Sequence, residues 1–338
     1  MEIKLSFCIP TYNFGDFLGE TLESIISQAG DSVEIVIVDS ASTDNTREVV
    51  GNFQKRFSRI RYCLREKRMD VDTDIAKAVE LAQGRYCWLM SSDDKIKPHA
   101  VGRMIKELDL DNDIYLCNRT ECNFMMEPIR DRLWLSKETG DSVFELSQRG
   151  QLMDYLVRTH SIGALFSYCS SLIFKRAKWD SLGYNNEFSG TGYAHVFRLF
   201  SFRKSGCSLK YVKEPLVLCR GDNDSFLSGG KIKRFLLDID GYRLLASRLF
   251  AEEPEIKKAF LKVMTKEMRP HYIMEIRSLV NDEAEWAQIK SKLKEFGFRN
   301  LVIRIAEALG SAKLIAPVGI RLKEEIKKRR YRDAPNPP

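Results

Sequence analysis

Two adjacent carboxylates, Asp93 and Asp94, follow the apolar Trp88, Leu89 and Met90 in the stretch "WLMSSDDKIKP". Such a pair at a strand end has two chemical readings. It is an Asp-rich turn, whose side chains accept from nearby backbone N–H groups, or it is a seat for a hard divalent cation, which prefers oxygen ligands and often takes one or two carboxylates. A third carboxylate, Asp39, closes the apolar run "VEIVIVD" and opens into "ASTDNT". Helix capping accounts for Ser42, Thr43 and Asp44 without a ligand, but it leaves Asp39 in need of a partner. "CIPTYN", residues 8–13, sets Pro10, Tyr12 and Asn13 after another apolar run and lacks the glycines of a G-x-G-x-x-G turn.

These residues share an edge if the runs before them are neighbouring strands, and the patterning over the first 120 residues predicts that. "IKLSFCIP", "VEIVIVD", "RIRYCLRE" and "RYCWLM" read as strands, separated by helical periodicity in "GDFLGETLESIISQAG", over residues 43–57 and in "DIAKAVELAQG". Asn13 or Asp16 is the expected N-cap of the first helix. "KPHAVGRMIKELD" reads as another helix and "DIYLCN" as another strand. Strand–helix alternation of this length predicts βαβ units and a parallel sheet with helices on both faces, in which ligands sit at the carboxyl ends of the strands. Between residues 124 and 147 the pattern loosens, which predicts an excursion over the surface. A strand, a loop and a helix follow, then the strand "LKYVKEPLVLC" running into a polar loop, and from 231 to 331 the periodicity is helical.

Composition excludes several classes. The 338 residues carry eight scattered cysteines with no C-x-x-C pair, which predicts reduced thiols rather than a disulfide framework or a zinc site. No basic segment followed by a long apolar one opens the chain, and no run reaches the roughly 18 apolar residues of a membrane span, so a cytoplasmic protein is expected. The net charge of +7 is uneven: between Arg321 and Arg332 seven basic residues face Glu324 and Glu325. A local anionic partner is therefore expected and a nucleic-acid face is not; a basic amphipathic helix can lie on an anionic membrane surface.

"CIPTYN", "VDSASTDNT" and "SSDD", in that order within the first 100 residues, resemble the inverting family 2 glycosyltransferases of the GT-A fold. The resemblance implies a GT-A type nucleotide-binding α/β sheet with helices on both faces, followed by a helical C-terminal region. Residues 1–230 would be the transferase domain, with 1–120 the nucleotide-sugar half and 121–230 the acceptor half; 231–338 would be the helical region with its basic tail. The implied reaction is metal-dependent transfer of a sugar from a nucleotide-sugar donor of UDP, dTDP or CDP type to a hydroxyl of a glycan or a polyprenyl-linked saccharide. Pro10, Tyr12, Asn13, Asp39 and Ser42 would hold base and ribose. In the S-D-D motif Asp93 would take the ribose, and Asp94 would bind the Mn²⁺ or Mg²⁺ that bridges the diphosphate.

Two segments depart from the family pattern. Where a G-E-D-like segment would supply the acid that deprotonates the acceptor, "GTGYAHVF" has Tyr193 and Ala194. That leaves His195 as the nearest titratable group, suited to general-base work near neutrality, with Glu187 and Asp180 as acidic competitors. Where an R-x-H-x-x-S-like loop would flank the diphosphate, "CRGDNDSF" offers Arg220 as a fork for phosphate, Asp222 as a further metal ligand and Ser225. Both variants are similar to an abequosyltransferase-like branch that adds a dideoxyhexose to a lipid-linked O-antigen unit. Read without the resemblance, Tyr12 is a half-buried loop aromatic, His195 a polar packing residue and "RGDND" a surface turn. Two rival functions stand beside the transferase. A sugar nucleotidyltransferase needs a Gly-rich basic loop after its first strand, which "PTYNFGDF" lacks; a catalytically inactive carbohydrate-binding scaffold is left open by "GYAH".

Overall fold

A computed structural model of the chain describes residues 2–183 and 185–311. In chain order its strands are β1 (Leu5–Thr11), β2 (Val33–Asp39), β3 (Ile60–Leu64), β4 (Tyr86–Leu89), β5 (Lys95–Ile96), β6 (Ile114–Cys122), β7 (Pro128–Arg132), β8 (Ser142–Glu145), β9 (Leu172–Lys175) and β10 (Ser208–Cys219). They form one sheet in the order β3-β2-β1-β4-β9-β6-β10-β5, with β7 on β6 and β8 on β10. The helices are α1 (Gly15–Ile26), α2 (Thr46–Gln54), α3 (Val71–Leu81), α4 (Ala100–Leu108), α5 (Arg149–Arg158), α6 (Arg176–Asp180), α7 (Ala194–Ser201), α8 (Lys231–Leu249), α9 (Pro254–Glu267), α10 (Pro270–Leu279), α11 (Glu283–Glu295) and α12 (Asn300–Ser311).

β1 and β2 are apolar almost throughout because both faces are covered. Phe7, Ile9, Ile35 and Ile37 pack against Leu18, Leu22 and Ile25 of α1 and Val50 of α2, while Cys8, Val36 and Val38 meet Ile75, Ala78 and Val79 of α3. The second core continues without a break through Phe235, Tyr242, Phe260, Ile276 and Ile289, so the helical region from 231 packs onto the sheet's own core. Among the described residues no helix is long and apolar enough to cross a membrane. The basic segment 321–332 lies outside the described residues.

β3-β2-β1-β4 is parallel, as the alternation predicts. β9 then enters antiparallel between β4 and β6, with Trp88 opposite Ile173 and Tyr115 opposite Ile173 from the other side. Its direction brings the preceding residues, 168–171, to the carboxyl end of β4. β10 runs parallel to β6, and its last residues pair with β5, Leu218 opposite Lys95, so the chain leaves β10 directly beside Asp94. Two expectations need correction. The stretch 124–147 contains β7 and β8 and buries Trp134 and Leu135 in the core; its charged strand PIRDR lacks apolar alternation because it pairs only with β6 at an exposed edge. β1 runs to Thr11, one residue beyond the expected end at Pro10, which stands opposite Val38.

Candidate functional site

The site is built at the carboxyl ends of β1, β2 and β4, with the turn after β10 folded over it. Asp94 is nearly buried, at 3% exposure, and its carboxylate accepts three donors from the protein. Tyr168 Oη and Ser170 Oγ each donate to Oδ2 at 2.6 Å, and the Arg220 backbone N–H donates to Oδ1 at 3.1 Å. Burial first, and then the neighbouring charge of Asp93, push its carboxyl up to about 6 from an ordinary value of 3.8. Asp93 is differently placed. Ser91 Oγ donates to its Oδ1 at 2.5 Å and Asn223 Nδ2 to its Oδ2 at 2.8 Å, one donor to each oxygen, which leaves each with an acceptor position.

The two acids differ in occupancy: Asp94, read as the principal cation ligand, accepts three protein donors, two of them on Oδ2, while Asp93 accepts one on each oxygen and has more oxygen to offer. Among the described residues no group of three or more His, Cys, Asp or Glu could enclose a metal ion. The donor set fits a hard cation that takes most of its shell from a phosphate ligand and water, and such an ion would relieve the charge that raises Asp94.

On the β1–β2 side two loops lock together. Asn13, at φ +54°, receives no strain relief from glycine; its N–H donates to Ser42 Oγ at 2.8 Å and its Oδ1 accepts from Thr43 N at 2.8 Å. Asp39 is buried, accepting from Ser42 N at 2.8 Å and Tyr62 Oη at 2.6 Å. Tyr12 is half-buried, with the Arg68 guanidinium 4.1 Å from its ring centroid. Thr11 Oγ1 is buried without a partner at the end of β1.

The second-half residues fall less as expected. Arg220, read as an open fork for phosphate, is 8% exposed and engaged within the protein. Its Nε donates to Asp93 O at 3.1 Å and Nη1 to Phe124 O at 2.6 Å, Nη2 is 3.2 Å from Glu20, and the guanidinium lies 5.0 Å from the Phe17 ring centroid. It ties the turn to the carboxylate loop. Gly221 is required there, since a Cβ would stand 2.4 Å from Cys122 O. Asp222 is exposed at φ +56°. Ser225 opens a 3-10 turn, and its side chain lies outside the described part.

His195 is buried. It is 2% exposed at the start of α7, with Nε2 2.9 Å from Phe166 O and Nδ1 buried without a partner. Burial lowers its pKa to about 4, so it is a neutral core group beside a cavity of about 150 Å³ that Asp72, Trp179 and Arg198 also line. Glu187 is exposed, gripped by Arg248 of α8 at 2.6–3.0 Å, and that pairing lowers its carboxyl. Asp180 pairs with Arg176 at 2.8 Å. None of the three is placed as the expected base. Two carboxylates that reach the segment 189–194, Asp70 at the N-cap of α3 and Asp72 in its first turn, were missed. Asp70 accepts from Ser189 Oγ and Gly190 N, and Asp72 from Gly192 N at 2.8 Å and Ala194 N at 3.0 Å. Tyr168, Ser170 and Asn223 were missed too; "DVDTD" reads as helix capping, and no spacing rule points from a Tyr or Ser to an acid more than 70 positions away.

With this geometry in hand, comparison with known proteins gives a consistent answer. The family described as Glycosyl transferase family 2 matches residues 6–175. The chain is 39% identical over 269 residues to abequosyltransferase RfbV of Salmonella typhimurium, covering 78% of this chain and 80% of that protein. It is 27% identical over 203 residues to the GalNAc(5)-diNAcBac-PP-undecaprenol beta-1,3-glucosyltransferase of Campylobacter jejuni, covering 59% and 61%. The crystal structure of S. aureus TarS 1-349 in complex with UDP-GlcNAc matches with a TM-score of 0.65 at 16% identity, covering 98% of this chain and 92% of that one; at that identity the likeness concerns the fold alone.

Proposed function

This chain belongs to glycosyl transferase family 2, and from that premise we propose that it is a metal-dependent inverting transferase. It would move a sugar from a nucleotide-sugar donor of UDP, dTDP or CDP type to a hydroxyl of a lipid-linked saccharide in surface-polysaccharide synthesis. The observation that carries this reading is Asp93: a carboxylate at the ligand edge of the sheet, held by Ser91 and Asn223 with acceptor capacity remaining. The acceptor class is supported by the similarity to the GalNAc(5)-diNAcBac-PP-undecaprenol beta-1,3-glucosyltransferase.

Each part of the site has a task in this reaction. Tyr12, Asn13, Asp39 and Ser42 shape the pocket for base and ribose, with Pro10 in the strand beneath. Asp93 and Asp222 would hold Mn²⁺ or Mg²⁺, which supplies Lewis-acid stabilisation of the leaving nucleoside diphosphate. Asp94 and Arg220 hold the turn after β10 over the diphosphate position and keep water out of it. The segment 189–194 borders the acceptor. A screen of nucleotide sugars with a polyprenyl-linked saccharide, with and without Mn²⁺, tests the proposal by product mass and released diphosphate; release that is equal without a divalent cation would contradict it.

The acceptor's lipid gives a task to the basic segment 321–332, which would meet an anionic bilayer, each basic residue contributing about 1 kcal/mol near the surface. Truncation before Pro317 is expected to abolish sedimentation with anionic vesicles while donor hydrolysis persists. Continued sedimentation of the truncated chain would place the contact elsewhere.

A further inference from the structure

We propose that α8 is a strut that couples the segment 189–194 to the turn 220–230, and that Arg234 and Asp238 are positioning residues for transfer. The inference rests on the site reading above and adds to it a role for the C-terminal helices. Two segments that depart from the family pattern, "GTGYAH" and "RGDNDSF", are joined to the same pair of side chains. From the first, Tyr193 Oη donates to Asp238. From the second, Asp224 Oδ2 accepts from Arg234 Nε at 3.1 Å, and Arg234 also donates to Asp238. Asp238 and Tyr193 are 8% and 4% exposed, so the Tyr193 end of the network is buried, while the Arg234–Asp224 pair at the other end reaches the surface.

The helix is shaped for the contact. Gly241 lies one turn beyond Asp238, and a Cβ there would stand 2.4 Å from the Tyr193 ring; a helix-interior glycine is less stable than alanine, and the close approach of the ring explains its presence. The two segments also meet directly. Gly192 adopts φ +75°, and its Cβ position is 3.5 Å from the Phe226 ring, with Arg234 5.5 Å from that ring's centroid. The network continues at both ends: Asp224 is followed back to Asn223, which donates to Asp93, and Gly192 and Ala194 donate to Asp72 of α3. A shift of the acceptor-side segment is therefore transmitted through α8 to the residue beside the proposed cation ligand.

Tyr193→Phe tests this, since it deletes one oxygen and leaves the Arg234–Asp238 pair in place. Hydrogen exchange of the amides at 221–230 is expected to accelerate about tenfold in Tyr193→Phe, in the range of couplings carried by such networks, with the melting temperature nearly unchanged. Arg234→Met is expected to give the same acceleration, and the double variant no more than the larger single effect, because both cut one link. In kinetics the singles should raise acceptor KM with a smaller change in kcat. Unchanged exchange at 221–230 in Tyr193→Phe, or effects that multiply in the double variant, would overturn the strut. Exchange needs no turnover, so a wild type that transfers no sugar would contradict the functional reading while the exchange result still decides this one.

Discussion

Asp93→Asn is expected to lower sugar transfer by about a thousandfold, the scale seen when one electrostatic stabiliser of a developing charge is removed, with the melting temperature close to that of the wild type. The substitution is nearly isosteric. Asn223 Nδ2 can still donate to the amide oxygen, the Ser91 hydroxyl can rotate to accept from the new amide N–H, and the site loses one negative charge. The loss should appear in kcat/KM for the donor and resist rescue by excess Mn²⁺. Activity within a few-fold of wild type at any metal concentration would remove Asp93 from the reaction.

Asp94→Ala is expected to act through the fold. It strands three buried donors at once: the Tyr168 and Ser170 hydroxyls and the Arg220 N–H. Leaving buried polar groups unpaired costs about 1–3 kcal/mol each, so the loss should be several kcal/mol, and activity falls with it because the turn after β10 is no longer held. Asp94→Asn should be far milder, since hydroxyls can rotate to meet an amide. The ionisation of Asp94 sets a pH dependence with a definite sign. Its folded pKa, about 6, is raised above the ordinary 3.8 by burial and by Asp93. The folded state therefore binds the proton more tightly than the unfolded chain does, and this contribution is fully present below 3.8 and lost as pH rises through 6. Asp72, pushed up to about 6 by burial, adds in the same window. His195, lowered to about 4, works in the opposite direction across this window, so the contribution of Asp94 is read against Asp94→Asn: without a cation the wild type's melting temperature should fall relative to the variant's between those pH values and recover on adding Mn²⁺ above pH 6. A cation-free wild-type melting temperature that rises relative to Asp94→Asn across the window would contradict this assignment.

What the sequence makes legible follows from locality. The four parallel strands, their helices and the clustering of Asp39, Asp93 and Tyr12 at one edge come from periodicity and from the rule that such sheets bind ligands there. The role of each acid does not, because it depends on what arrives from far along the chain. Asp94 accepts from residues 74, 76 and 126 positions away, the first two delivered by an antiparallel β9 that the helix–strand alternation of the first half gives no reason to expect and the third by the end of β10. His195 shows the same limit at short range. Its place at a loop-to-helix junction is readable, but helical phase turns it inward onto Phe166, and the imidazole's task changes from proton transfer to packing. Arg220 is legible as an anion-seeking side chain and finds Glu20 and two carbonyls of its own chain first. Trp134 sits among charged residues and was unreadable as core because its burial depends on Asn118 and Cys117 of β6, to which it donates.

The division of labour between the two acids is the claim on which the mechanism rests, and titration of Mn²⁺ in the presence of a nucleoside diphosphate, followed by the spin-resonance signal of the free ion, tests it directly. Wild type and Asp94→Asn are expected to remove Mn²⁺ from solution at similar concentrations, and Asp93→Asn is expected to leave it free. Binding retained by Asp93→Asn and lost in Asp94→Asn would contradict the assignment and return the cation to Asp94.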